Sequence, residues 1–248
     1  MSSFDATRIR PLKALRALRA LLRNPDDTAQ VFTIISALSG GSRQRVLKRL
    51  RATRVGQRVL VEDRPLAALL TDRERLRRLP EGSLGREYVS FCERHGITAD
   101  GLVAASEQGD LDPDLSRDEQ VVRARMRDAH DLWHVVTGYQ TDLIGEASVL
   151  AFTFAQTRNP GVGLIVLSAF LEARGDSNAT RLVLVEAFLR GRSAEWLPAA
   201  DWEALLERPL AQVRRELGVG NPPNYAPVWP EAGSPAKKAP PMHVVKAA

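Results

Sequence analysis

Apolar residues recur every three or four positions along most of this chain, and no stretch alternates apolar with polar as a half-buried strand would. Ile9, Leu12, Leu15, Leu18 and Leu22 fall at helical spacing, with Arg10, Lys13, Arg16, Arg19 and Arg23 mostly opposite. The pattern predicts a basic amphipathic helix over 5–23. Asn24–Thr28 reads as a turn with good helix-starting residues, and a helix over about 28–39 stops at Gly40-Gly41. Residues 42–53 give another basic helix, and 65–79 hold one or two short ones from Pro65 to Pro80. A helix from Gly82-Ser83 to His95 carries Leu84, Tyr88, Phe91 and Cys92 as its stripe and ends at Gly96; 99–108 is a further short helix.

Ser116 and Glu119 have capping-box spacing and open one helix to about Thr137, with Gly138 as its C-cap. After a short polar turn, 143–156 is an apolar helix. Asn159-Pro160-Gly161 breaks the chain before a second apolar helix over 162–173. Asp176-Ser177-Asn178 caps a helix to about Arg190, and a last one spans 200–217. Seven of the fifteen prolines lie in 218–248. The reading is all-α. It gives a basic amphipathic helix (1–23), one helical domain (24–220) and a Pro-rich flexible tail (221–248).

Charge changes this picture at one end. Residues 1–60 hold thirteen Lys/Arg against three acids, whereas the remainder holds twenty-two against twenty-seven. A basic end on a neutral-to-acidic body points to an anionic partner. A solvated packing helix, a helix on an anionic membrane surface and a transit peptide all fit the first segment. Nucleic acid does not, because no aromatic residue interleaves with the basic run. No apolar run is long enough to span a membrane and no secretory h-region is seen, so the chain is expected where it is made or at an organelle address. The single cysteine, Cys92, excludes an internal disulfide and reads as a small core residue.

Chemistry concentrates in one place. His130, Asp131 and His134 fall within five residues, and Glu146 follows. Val122, Met126, His130 and His134 are spaced by four, so the histidines sit on the core-facing stripe. On one straight helix Glu146 would lie about 18 Å beyond His134, too far for one ion. A reversal between Gly138 and Gly145 would bring it back. The four residues would then make a mixed imidazole–carboxylate site suited to zinc, iron or manganese, with magnesium less natural. A pair of core-bonded histidines is the plainer alternative. A His-Asp phosphohydrolase, with His95 and Asp176 drafted in, leaves His134 and Glu146 unexplained.

The whole constellation, His-Asp-x-x-His-(x)11-Glu, resembles the signature of the Coq-four family of ubiquinone biosynthesis proteins. Leu79–Tyr88, Arg125–Ala129 and Trp202–Leu210 with Val213, Arg214 and Leu217 are similar to further family segments, so the resemblance covers about 10–220. It implies an all-helical, membrane-associated protein of coenzyme Q synthesis. The implied activity removes the carboxylate at ring carbon 1 of a polyprenylated 4-hydroxybenzoate-type ring and installs a hydroxyl. A non-catalytic scaffold that organises the biosynthetic complex is the alternative. By motif position His130, Asp131, His134 and Glu146 carry over as the catalytic metal site, with zinc the first choice. The expected partners are a polyprenylated quinone precursor, other ubiquinone-biosynthesis proteins, an anionic membrane surface and, as an option, a second copy. The expected location is the cytoplasmic face of a bacterial membrane, or the mitochondrial inner membrane in a eukaryote. The apolar helices over 147–156 and 162–171 are candidates to line a polyprenyl slot.

Overall fold

The computed structural model describes residues 9–25, 27–62, 65–108, 115–173 and 177–229. The chain runs through α1 (Pro11–Arg23), α2 (Thr28–Leu38), α3 (Ser42–Arg51), α4 (Arg54–Val61), α5 (Leu66–Thr71), α6 (Arg73–Arg77), α7 (Leu84–His95) and α8 (Ala99–Gln108). It continues through α9 (Arg117–Asp128), α10 (His130–Thr137), α11 (Leu143–Thr157), α12 (Pro160–Glu172), α13 (Ser177–Ser193), α14 (Trp202–Leu205) and α15 (Leu210–Glu216). The fold is all-α, as the periodicity predicts. Among the described residues there is no strand, and Ser83 with Pro209 forms an isolated antiparallel bridge.

Helix α11 is the axis of the molecule. It packs on α13, α12 and α10. The main core gathers Tyr88, Phe91, Trp133, Val149, Phe152, Ala187 and Trp202 from α7, α10, α11, α13 and α14. Each large side chain removed from water there contributes ~1.5–3 kcal/mol. A second cluster joins α1, α2 and α12 through Ala17, Leu18, Leu21, Ile34 and Ile165. A third joins α3, α4 and α9 through Val46, Leu47, Leu50, Leu60 and Val122.

Several elements differ from the sequence expectation. The single helix expected from Ser116 to Thr137 is two. The capping box is present, but the ladder tightens at Ala129, whose N–H points to both Arg125 and Arg127 carbonyls. Just before it, buried Asp128 accepts from the Ala67 N–H at 3.1 Å and from Arg127 at 2.7 Å, which ties this turn to α5. The helix expected over 200–217 is α14 and α15, because Pro209 has no N–H and biases the preceding residue out of the helical region. The freed carbonyls of Leu206 and Arg208 instead accept from Gly85 and Leu84 N–H groups at the start of α7, each at 2.8 Å. Helix α4 was not expected; Thr53 caps it by accepting from Gly56 N–H. Asn159-Pro160-Gly161 does not separate α11 from α12 by a loop. Asn159 caps α12 with Pro160 in its first turn.

Helix α1 turns differently from the expected stripe. Ala14, Ala17, Leu18 and Leu21 are buried. Leu12 and Leu15 stay exposed at 72% and 43%, together with Arg16, Arg19 and Arg23. Residues 5–8 of that expected helix, Asp176, and 230–248 of the tail lie outside the described residues.

Candidate functional site

Helix α10 carries His130 and His134 one turn apart. Gly138 ends the helix in the left-handed region, at φ 84°, and its N–H donates to the His134 carbonyl. A Cβ at Gly138 would also stand 2.6 Å from the Pro222 Cβ, so both backbone and neighbour call for glycine. The chain reverses over 139–142, and Asp142 caps α11 by accepting from Ile144 N–H at 3.1 Å. Gly145 lies so close to this turn that a Cβ would stand 2.0 Å from the Gln140 carbonyl oxygen. The tight reversal sets the first turn of α11 beside α10 and aims Glu146 at the histidines.

The result is a near-equilateral triangle of ligand atoms. His130 Nε2 and His134 Nε2 are 3.2 Å apart. Glu146 Oε2 is 3.5 Å from the first and 3.4 Å from the second. Tyr139 fixes the chemistry of His134. Its carbonyl can only accept, so His134 Nδ1 donates the hydrogen in that 3.1 Å bond. In the neutral ring Nε2 then presents its lone pair to the triangle. The His134 side chain is fully buried, whereas those of His130 and Glu146 are 25% and 37% exposed.

Burial works against a charged His134, but the Glu146 carboxylate and its hydrogen bond outweigh it, so the imidazole is raised above its usual value. Burial works against the Glu146 charge too. The facing His134, with hydrogen bonds from both histidines, overcomes it and holds the carboxyl well below its usual range. Each group thus stabilises the form of the other that a cation would replace or complement. Asp131 is buried on the same helix and lines the same cavity, but it is not one of the three groups whose ligand atoms converge.

The triangle opens on a cavity of about 630 Å³. Its walls reach from His130 and Glu146 past Met126, Leu150 and Ile165 to Leu18 and Phe32. Ala147, Leu150 and Thr153 of α11, and Val162, Ile165 and Ala169 of α12, contribute to it, so both candidate slot helices line the cavity. The triangle makes one part of the lining ligand-rich; the rest is mostly apolar, with Ser39, Arg43, Asn159 and Glu172 among its polar members.

Residues 8–223 match the family described as coenzyme Q (ubiquinone) biosynthesis protein Coq4. The chain belongs to that family. It is 34% identical over 171 residues to the mitochondrial ubiquinone biosynthesis protein coq4 of Talaromyces stipitatus, covering 68% of this chain and 57% of that one. The corresponding Yarrowia lipolytica protein is 28% identical over 171 residues, covering 68% of this chain and 63% of that one. The chain spans less than two thirds of the length of these curated relatives. A crystallised candidate ubiquinone biosynthesis protein from Nostoc punctiforme shares the fold, with a TM-score of 0.61 at 21% identity over 89% of this chain and 100% of that one. Among the described residues no helix is long and apolar enough to cross a membrane.

Around the Coq4 motif the structure adds residues that spacing alone does not reveal. His95 closes α7 and lines the cavity. Its Nε2–H donates to Gln140 Oε1 at 3.0 Å and its Nδ1 accepts from the Thr141 hydroxyl at 2.8 Å, so both ring nitrogens are engaged. Phe91 stacks on His134 at 5.6 Å between centroids and leans on His95 at 4.6 Å. Asp142 was not singled out, although an aspartate directly before an apolar run is an N-cap signal. Tyr225, Val228 and Trp229 were not singled out, although they are aromatic and β-branched residues set among prolines, which is an anchor signature.

Proposed function

We propose that this Coq4-family chain is a metal-dependent enzyme of coenzyme Q synthesis. It acts on a polyprenylated 4-hydroxybenzoate-type ring and replaces the carboxylate on ring carbon 1 with a hydroxyl. The observation that carries this reading is the opening of the His130–His134–Glu146 triangle into a cavity of about 630 Å³ with mostly apolar walls. A volume in this range holds a ligand-sized molecule. Two imidazoles and a carboxylate suit zinc, iron or manganese. Tetrahedral ligands at zinc distances stand about 3.3 Å from one another, which fits the observed edges of 3.2, 3.4 and 3.5 Å. Asp131, next to His130 but outside the triangle, is the fourth donor in this reading once its carboxylate swings in from the cavity wall.

Once bound, the ion supplies Lewis-acid polarisation of the ring's carboxylate or phenolate, and iron or manganese adds the redox capacity that zinc lacks. The chain's own residues do the rest. Tyr139 holds His134 in one tautomer, Glu146 closes the triangle, and the apolar walls exclude water and align the prenyl tail. In the net reaction the bond between ring carbon 1 and the carboxylate breaks and carbon dioxide leaves. A new C–O bond forms with one atom of dioxygen, and a two-electron donor reduces the other atom to water.

The scaffold reading uses the same cavity. Exposed Leu167, Leu171, Leu182 and Leu189 on α12 and α13 favour it, because they offer an apolar face to a partner protein or a second copy. In both readings α1 rests on an anionic membrane through exposed leucines and arginines. The deciding experiment supplies purified protein with metal, prenylated ring, dioxygen and a reductant, and follows the product by mass spectrometry. The hydroxylated ring is expected from wild type and not from His134→Ala or Glu146→Ala. Full turnover by folded variants would put the catalytic site elsewhere. Ring binding without product from wild type would leave the scaffold reading in its place.

A further inference from the structure

The family match ends at residue 223, but the described chain continues to Trp229, and that continuation lies across the site. The Tyr225 hydroxyl donates to Asp142 Oδ2 at 2.6 Å and accepts from Gln140 N–H at 3.0 Å. Val228 N–H donates to Asp142 Oδ1 at 3.0 Å, and the Val228 carbonyl accepts from Leu143 N–H at 2.8 Å. Asp142 is fully buried and is the cap of α11, the helix whose first turn carries Glu146. The segment is thus bonded through Tyr225 and Val228 to the turn that aims Glu146 at the histidines.

Trp229 is placed by this anchoring. It lines the cavity beside His95, with centroids 6.3 Å apart and ring planes 28° from parallel. With the Phe91 contacts this makes a row of four rings: His134, Phe91, His95 and Trp229. The row starts at the ligand triangle and ends on the strap. Trp133 and Trp202 are buried in the core, whereas Trp229 is 37% exposed. Leu143 and Val228 line the cavity next to it.

We infer that Tyr225–Trp229 is a specificity strap, and that Trp229 and His95 form an aromatic wall against which the ring head of the cavity's ligand packs. This rests on the reading that the cavity holds a prenylated aromatic ring. The wall lines the same cavity as His130 and Glu146 and is joined to His134 through Phe91, so it faces the part of the cavity where the ring must lie if its carboxylate is to reach the ligands. The prenyl tail runs the other way, between α1, α2, α11 and α12, and does not meet the strap. Aromatic packing is geometry-dependent and selects flat rings over flexible alkyl groups.

The test compares binding of 3-farnesyl-4-hydroxybenzoate and of farnesol, which has a tail and no ring, to the full-length chain by titration calorimetry. Trp229→Ala is expected to weaken the prenylated ring about tenfold while farnesol stays within about twofold. Trp229→Phe, which keeps a flat ring, is expected to restore binding to within about threefold. Equal losses for both probes, no loss for the ring compound, or no rescue by phenylalanine would each overturn the strap's role, while wild-type binding would leave the cavity reading standing. If wild type binds neither probe, the cavity reading falls and the strap proposal with it. Thermal melts of both variants should match wild type, because Trp229 lies outside the core; a large drop would mean the residue is structural and would also overturn the proposal.

Discussion

His134 shows how a single backbone atom can set the tautomer of one residue. The Tyr139 carbonyl takes its Nδ1 hydrogen, burial keeps water away, and Nε2 is left for a ligand. His134→Ala removes one corner of the triangle. It is expected to weaken zinc or manganese binding by more than ~10-fold, since second-shell losses alone reach 10–100-fold; calorimetric titration reads this directly. If the variant holds metal as tightly as wild type, the triangle is not the site. Gly138 is the second decisive residue. Gly138→Ala puts a side chain in the left-handed region, at a cost of ~1–2 kcal/mol, and drives its Cβ into Pro222. A lowered melting temperature is expected, together with weaker metal binding through displacement of the α10–α11 turn.

At the scale of elements, periodicity and caps carry most of the fold. The Ser116–Glu119 box, the Gly96 and Gly138 stops and the span Ala99–Gln108 were legible because they depend on residues within a few positions of each other. The break at Ala129 is tied to a distant partner, Ala67, whereas the split at Pro209 is a local effect of proline that the periodicity masked; its freed carbonyls then find the start of α7. Asp201 belongs to this scale as the cap of α14. It accepts from Arg58 in two bonds, of 2.9 and 2.6 Å, and so ties α4 to α14. The Arg58 hydrogen bonds, more than any other contact, hold its carboxyl below the usual value. A lowered folded value means stability that is present above the unfolded aspartate value of ~3.9 and lost as pH falls through the folded one. Asp201→Asn should therefore flatten the stability–pH curve below pH ~4, with only a modest constant loss near neutrality because both side chains are partly exposed. Melts across pH 2–7 check it, and an unchanged acid slope would refute it.

The whole molecule joins a basic, leucine-bearing surface helix to the cavity. Leu18 and Leu21 of α1 line that cavity, while Leu12 and Leu15 point out beside Arg16, Arg19 and Arg23. Under the proposed function, a prenyl chain entering from a bilayer would meet α1 first. Binding to anionic vesicles is expected, weakening with salt as charges are screened beyond about 10 Å at 0.1 M. The triple substitution Arg16→Glu, Arg19→Glu, Arg23→Glu should abolish it and leave the fold intact, whereas deleting α1 would open the cavity itself. Vesicle co-sedimentation at two salt concentrations reads the effect; salt-independent binding by the triple variant would remove α1 from the membrane role.

The sequence by itself determined the class of the fold, most helix spans and the chemistry on offer at His130, Asp131, His134 and Glu146. Those follow from spacing within a few turns of helix, where 3.6-residue geometry leaves little choice. It also required a reversal between Gly138 and Gly145, because a straight helix would carry Glu146 out of reach. Only the tertiary structure decided which donors meet. His130, His134 and Glu146 converge, while Asp131 turns along the cavity wall outside that group. Only the tertiary structure laid Tyr225–Trp229 over the turn, through hydrogen bonds spanning more than eighty residues of sequence. Such pairings come from burial and satisfied polar groups across the core, and no local pattern in the chain encodes them.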